Sequence, residues 1–230
     1  MLYGSRARGD GGEHSDVDLL QVTIRESFSH HKGRYSVVAY PFDRLFSLAR
    51  AGSLYVLHLK LEGRVLEDAY GDLARVLDAY APPVSYDPLN EGLRAAASML
   101  DVPCDWSGNR TGLFRAGVFI LRTALYARCA AAGRPTFAMA EVARHVGDPR
   151  VESVSALKHR TEIGPDEIAL IRGLVERYLG LEVRNPYGTL EALAVSLYRR
   201  HPLAASLAVR VLAGDQELDY VRMPDQWVAP

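Results

Sequence analysis

The chain has 230 residues, is 48% hydrophobic and carries a formal net charge of −1. That size and apolar content support one large domain or two small ones. The near-zero charge gives no global basic field, so long nucleic acid is not a favoured partner. No apolar run reaches the length of a membrane span, and the start lacks the charged-then-apolar order of a signal peptide. Cys104 and Cys129 form neither a CxxC motif nor a disulfide framework. The expected setting is the cytoplasm, with no membrane.

In chain order, Met1-Leu2-Tyr3 leads into Gly4-Ser5-Arg6-Ala7-Arg8-Gly9, a stretch that opens a turn or short helix and is interrupted by Gly11-Gly12. Asp16 to Arg25 reads as the first full strand, because Leu19-Leu20-Gln21-Val22-Thr23-Ile24 is a short, β-branched, apolar run. Ser27 to Gly33 is polar and reads as a loop containing His30-His31. Arg34 to Tyr40 is the next strand, ended by Pro41. Phe42, Leu45, Phe46 and Ala49 recur at helical spacing and predict a helix over Phe42–Arg50. Gly52 breaks it, Ser53–Leu61 predicts a second apolar helix, and Gly63 introduces a short strand, Arg64–Glu67. Asp72–Tyr80 predicts one more helix.

Ala81 to Pro88 holds three prolines in eight residues and reads as a linker. Nearly everything after it reads as helix: Leu89–Leu100, Thr111–Ala132 stopped by Gly133, Thr136–Val146, Pro165–Leu179, Leu190–Arg200 and Leu203–Leu212. Pro165 followed by Asp166-Glu167 is the composition that a helix N-terminus favours. The tail from Gln216 to Pro230 is expected to be loosely held. The expected fold class is α+β: a domain over residues 1–81 with a small mixed sheet and flanking helices, then an all-α helical bundle over 88–230.

The chemistry concentrates near the start. Ten residues separate Ser5 from Asp16, and Asp16 and Asp18 are two apart on the run into the first strand. Side chains at i and i+2 of a strand share a face, so the two carboxylates are expected to project together. A pair of aimed carboxylates suits a hard divalent cation such as Mg²⁺ or Mn²⁺. A Gly-Ser turn ahead of them lets backbone N–H groups approach phosphate.

Gly-Ser, about ten residues, then Asp-x-Asp resembles the signature of the DNA polymerase β-like nucleotidyltransferase superfamily, in particular its minimal nucleotidyltransferase branch. Gly4, Ser5, Asp16 and Asp18 meet it, with the Arg6-Ala7-Arg8-Gly9 extension beside them. The resemblance implies a metal-dependent enzyme that transfers a nucleoside monophosphate from an NTP, with ATP the expected one, to a hydroxyl of an acceptor and releases pyrophosphate. It implies Asp16 and Asp18 as catalytic metal ligands, and Gly4 and Ser5 as holders of the triphosphate. Arg6 and Arg8 are then nucleotide-binding candidates, as charge-assisted partners of the phosphates. The acceptor would be a small molecule, a protein side chain or an RNA end.

The chain departs from that pattern in two places. A helix and a full strand precede the Gly-Ser turn in the resembling family, whereas only Met1, Leu2 and Tyr3 do here, so a shortened first strand or a lost segment is expected. The strand after Asp-x-Asp usually carries a third carboxylate, whereas Arg34–Tyr40 has no acid, with Ser36 or Val37 in its place. Asp43 lies beyond Pro41, and Glu26 at the far end of the preceding strand. An alternative is therefore a catalytically degenerate nucleotide-binding partner protein on the same fold. His14, two residues before Asp16, is a candidate to touch substrate or metal, while His58 on an apolar helix face reads as a core residue. In the helical half, His145, His159 and His201 have no arginine at the Arg-x(4–6)-His ribonuclease spacing of the HEPN helical family, which often accompanies minimal nucleotidyltransferases. A nuclease role there has no support.

Overall fold

The structure, a computed structural model, describes residues 1–13, 15–157 and 160–214. The expectations for His14, His159 and the tail Gln216–Pro230 fall outside the described residues. The protein is mixed α+β and divides into two compact units, one over Met1–Ser85 and one beginning at Tyr86.

In the first unit a four-stranded mixed sheet runs in the order β1-β2-β4-β3. β1 (Leu2–Tyr3) pairs antiparallel with β2 (Val17–Thr23), β2 parallel with β4 (Tyr35–Pro41), and β3 (Phe28–Lys32) antiparallel with β4. One face of this sheet is apolar over much of its length. Tyr3, Leu20, Val38 and Tyr40 are buried there, with Val22 packed beside them. Three helices supply the other half of that core. α2 (Phe42–Arg50) contributes Leu45, Leu48 and Ala49, α3 (Leu54–Glu62) contributes Tyr55, Val56 and Leu59, and α4 (Asp72–Asp78) contributes Leu73 and Val76. Each large aliphatic side chain so buried stabilises the unit by about 1.5–3 kcal/mol. Ser53 caps α3, its Oγ accepting from the Tyr55 N–H at 3.1 Å.

The stretch Ser27–Gly33, expected as a loop, contains β3. An edge strand exposed along most of its length needs no apolar alternation, so Phe28-Ser29-His30-His31-Lys32 carries no periodic signal, and only pairing with β4 across the Gly33-Arg34 turn reveals it. The strand expected over Arg64–Glu67 is one bridge, in which Leu2 and Arg64 exchange backbone hydrogen bonds of 2.8 and 2.7 Å. β1 has only two residues and offers a longer strand nothing more to pair with.

The second unit is helical among its described residues. It comprises α5 (Asp87–Ala97), a 3-10 turn (Ser98–Leu100), α6 (Arg110–Ala131), α7 (Met139–Val146), α8 (Arg150–Ala156), α9 (Pro165–Leu179), α10 (Leu190–Leu197) and α11 (Pro202–Leu212). Pro88, read as linker, instead lies in the first turn of α5, where its missing N–H costs nothing. α6 is buried nearly all round, through Leu113, Phe114, Val118, Ile120, Leu121 and Leu125, as the central helix of such a unit must be. Asn109 caps it, accepting from Gly112 N–H at 2.9 Å. α8 was not expected, because seven residues with three buried give too short a period to read. No described helix is long and apolar enough to cross a membrane.

Candidate functional site

β1 ends at Tyr3, and the chain turns at Gly4 (φ 73°, ψ −159°) into the short helix α1 (Ser5–Arg8). That backbone conformation is open to glycine and costs other residues about 1–3 kcal/mol. The turn lies against Asp18: a β-carbon added to Gly4 would sit 2.5 Å from Asp18 Oδ2. Close packing and backbone conformation therefore demand glycine here for independent reasons. After α1 the chain folds back, and the N–H groups of Gly9, Asp10 and Gly11 converge on the Ser5 carbonyl at 3.0, 3.2 and 3.2 Å.

Strand register sets the neighbours of Asp18. Tyr3 lies opposite it on β1 and Ser36 on β4, and Ser36 in turn faces His31 on β3. Directly paired residues project to the same side of a sheet. Tyr3, Asp18, Ser36 and His31 thus form one row, on the face that farther along carries Leu20, Val38 and Tyr40. Asp18 and Ser36 are half-buried, and His31 is exposed. Asp16 is exposed and immediately precedes β2, tied down beside it by the Val17 N–H bond to Arg34 O at 2.7 Å.

The two arginines of the turn are already engaged by the protein. Arg6 donates from Nε to Ser15 O at 3.3 Å, and from Nη2 to Ser15 O and Glu13 O at 3.1 and 3.2 Å. It thereby clamps the backbone that delivers Asp16. Arg8 donates to Asp10 Oδ2 at 3.0 Å and to Glu62 Oε2 at 2.5 Å, and Glu62 Oε2 also lies 2.9 Å from His58 Nε2. Burial pushes the Glu62 carboxyl up, but the bonds from His58 and Arg8 outweigh it and hold the group below its ordinary value. His58 reaches the turn from another side, packing edge-on against Tyr3 with ring centroids 5.8 Å apart.

Tyr3, the β1 partner of Asp18, belongs to a cluster of aromatic rings. Tyr55 lies 5.8 Å, centroid to centroid, from both Tyr3 and Tyr40. Burial pushes the Tyr55 phenol well above its usual value, and Tyr3, Tyr40 and the charge of Asp18 push it further the same way. Tyr55 therefore stays protonated across the physiological range. Reading motifs along the chain missed Tyr55 and the Arg8–Glu62–His58 cluster. The predicted helix stopped at Leu61, one residue short of Glu62; the observed helix runs on to Glu62 and so puts it one turn from His58, at i and i+4.

The donor set offered by Asp16 and Asp18 is all oxygen, one carboxylate half-buried and one exposed. Mg²⁺ characteristically takes one or two protein carboxylates and completes its shell with water and substrate phosphates, so these residues fit it. Among the described residues no group of three or more His, Cys, Asp or Glu is placed to hold a metal by itself.

The helical unit contains a separate cleft of about 610 Å³, lined by residues that include Asn109, Arg110, Thr111, Arg160, Gly164 and Glu167. Its charges are largely spent internally. Arg160 pairs with Glu167 at 2.6 Å, the same carboxylate accepts from Gly164 N–H at 2.9 Å, and Arg110 donates to Cys104 O at 3.2 Å.

No protein-family model matches the chain, and no curated protein matches it.

Proposed function

We propose that the protein is a metal-dependent nucleotidyltransferase, similar in its Met1–Ser85 unit to the DNA polymerase β-like superfamily. It would transfer a nucleoside monophosphate from an NTP, ATP first among them, to an acceptor hydroxyl. One observation carries the reading: the Asp18 carboxylate lies against the Gly4 bend, with no room for a β-carbon between them. A carboxylate and a glycine turn so placed can share one triphosphate, the turn taking its phosphates and the carboxylate its cation.

Asp18, packed against the Gly4 turn, is the fixed ligand. Asp16, held in place through the Arg6 clamp on Glu13 and Ser15, adds a second carboxylate at the exposed edge. Mg²⁺ bound there would neutralise charge on the triphosphate and its leaving pyrophosphate. Arg6 and Arg8 support the turn through their protein partners, and contact of either with phosphate would come in addition.

The test is transfer itself. Protein incubated with Mg²⁺ and labelled ATP, CTP, GTP or UTP is expected to release pyrophosphate, and Asp18→Ala to abolish the release. Absence of release from every nucleotide, together with no Mg²⁺-nucleotide rise in melting temperature, would refute the proposal. A second reading, a nucleotide-binding protein without turnover, is favoured by the uncharged Ser36 opposite Asp18. It predicts the melting-temperature rise with no pyrophosphate.

A further inference from the structure

The row Tyr3–Asp18–Ser36–His31 orders the site from one side of the sheet to the other. The Gly4 bend leaves from the end of β1, on one side of Asp18. Ser36 and then His31 stand on the opposite side, on β4 and β3. In phosphoryl-type transfer the attacking and leaving oxygens lie roughly in line across phosphorus. A nucleotide whose β- and γ-phosphates sit at the bend must therefore be attacked from the Ser36–His31 side. At about 4.8 Å per strand, His31 is about 10 Å from Asp18, with a short serine between them. The gap over Ser36 is wide enough for a phosphorus and an acceptor oxygen, and no carboxylate in the row lies beyond it to receive a proton.

We propose that His31 is the general base of the transfer, taking the proton of the acceptor hydroxyl. The assignment rests on the nucleotidyltransferase reading above. The hydroxyl oxygen forms the new bond to the α-phosphorus as its O–H bond breaks, and the proton passes to a ring nitrogen of neutral His31. The bond between the α-phosphorus and the bridging oxygen breaks, and its electron pair leaves on pyrophosphate. Imidazole suits this duty because one ring nitrogen of the neutral ring carries a lone pair that can accept the proton. The neighbouring His30 pairs with Val37 and projects from the other face, so the sheet distinguishes two adjacent histidines.

The experiment measures pyrophosphate release from ATP, CTP, GTP and UTP with Mg²⁺, water serving as acceptor, beside the melting-temperature rise that Mg²⁺-ATP causes. For His31→Gln a fall in kcat of about 100-fold is expected, with the melting-temperature rise unchanged. His30→Gln should stay within about twofold of the wild type. Ser36→Asp in the His31→Gln background, which places a carboxylate one strand nearer Asp18, should recover most of the lost rate. If His31→Gln keeps its rate while Asp18→Ala loses it, the base assignment is overturned and the nucleotidyltransferase reading stands. If the wild type binds Mg²⁺-ATP without releasing pyrophosphate, there is no proton to take and the assignment is overturned. If it neither binds nor turns over, both proposals fall together.

Discussion

The Asp18 carboxylate lies so close to Gly4 that the strand and the turn have become one piece of structure: a β-carbon at Gly4 would meet Oδ2 at 2.5 Å. Substituting Gly4 with alanine must either move the carboxylate or open the turn. The residue would also be forced into a backbone conformation that costs about 1–3 kcal/mol. Gly4→Ala is expected to lower the urea midpoint accordingly and to erase any Mg²⁺-nucleotide stabilisation. A variant that keeps wild-type stability would show that the turn is not held against β2.

Glu62 holds Arg8 and His58 together beneath the turn. Its folded pKa lies below its unfolded value near 4.5, so the folded state favours the ionised carboxylate. The stability this contributes is complete above pH 4.5 and is lost as pH falls through the folded value. Glu62→Gln should cost about 1–2 kcal/mol at neutral pH. Chemical denaturation at pH 7 and at pH 3 checks the sign: the gap between wild type and variant should narrow at the lower pH.

Asp148 plays a similar part in the helical unit. Its carboxylate accepts from the Arg150 backbone N–H at 3.1 Å and from Arg150 Nη2 at 2.7 Å, and the Tyr178 hydroxyl donates to it at 3.2 Å. The Arg150 bonds hold it at about 2, against 3.8 unfolded. Its contribution is present above pH 3.8 and disappears as pH falls toward 2. Arg150 is exposed and solvent screens the pair, so its contribution is small. Asp148→Asn should therefore lower the melting temperature at pH 7 by a few degrees and leave a shallower acid-unfolding profile.

Two glycines in neighbouring helices should respond with opposite signs. A β-carbon on Gly117 of α6 would stand 2.7 Å from Ile171 Cγ1 and 3.1 Å from Leu100 Cδ2, both in the buried interior. Gly117→Ala is expected to cost about 1–3 kcal/mol through overpacking. Gly173 of α9 is exposed and meets nothing within 4 Å, so Gly173→Ala should gain up to about 1 kcal/mol from helix propensity alone. Urea denaturation of the two single variants decides both; equal effects would mean that α6 and α9 do not pack here.

Legibility followed the range of the interaction. Pro165–Leu179 could be read from its own residues, because a proline and two acids open the helix and Gly180 closes it. α2 could be read from the spacing of its buried residues. β3 could not, because nothing in its five residues repeats and only its pairing to β4 makes it a strand. The same holds for α8, which owes its place to three buried side chains and to Asp148.

What the sequence by itself determined is what near neighbours decide: most helices, the first full strand, the punctuation by glycine and proline, and the grouping of Gly4, Ser5, Asp16 and Asp18 within the first eighteen residues. Only the tertiary structure decided that Asp18 touches the Gly4 turn, that Arg8 meets Glu62 fifty-four residues away, and that His31 shares a row with Asp18. The physical reason is that strand register and side-chain contact are set by the burial of a whole face at once. No short stretch of chain carries that information alone.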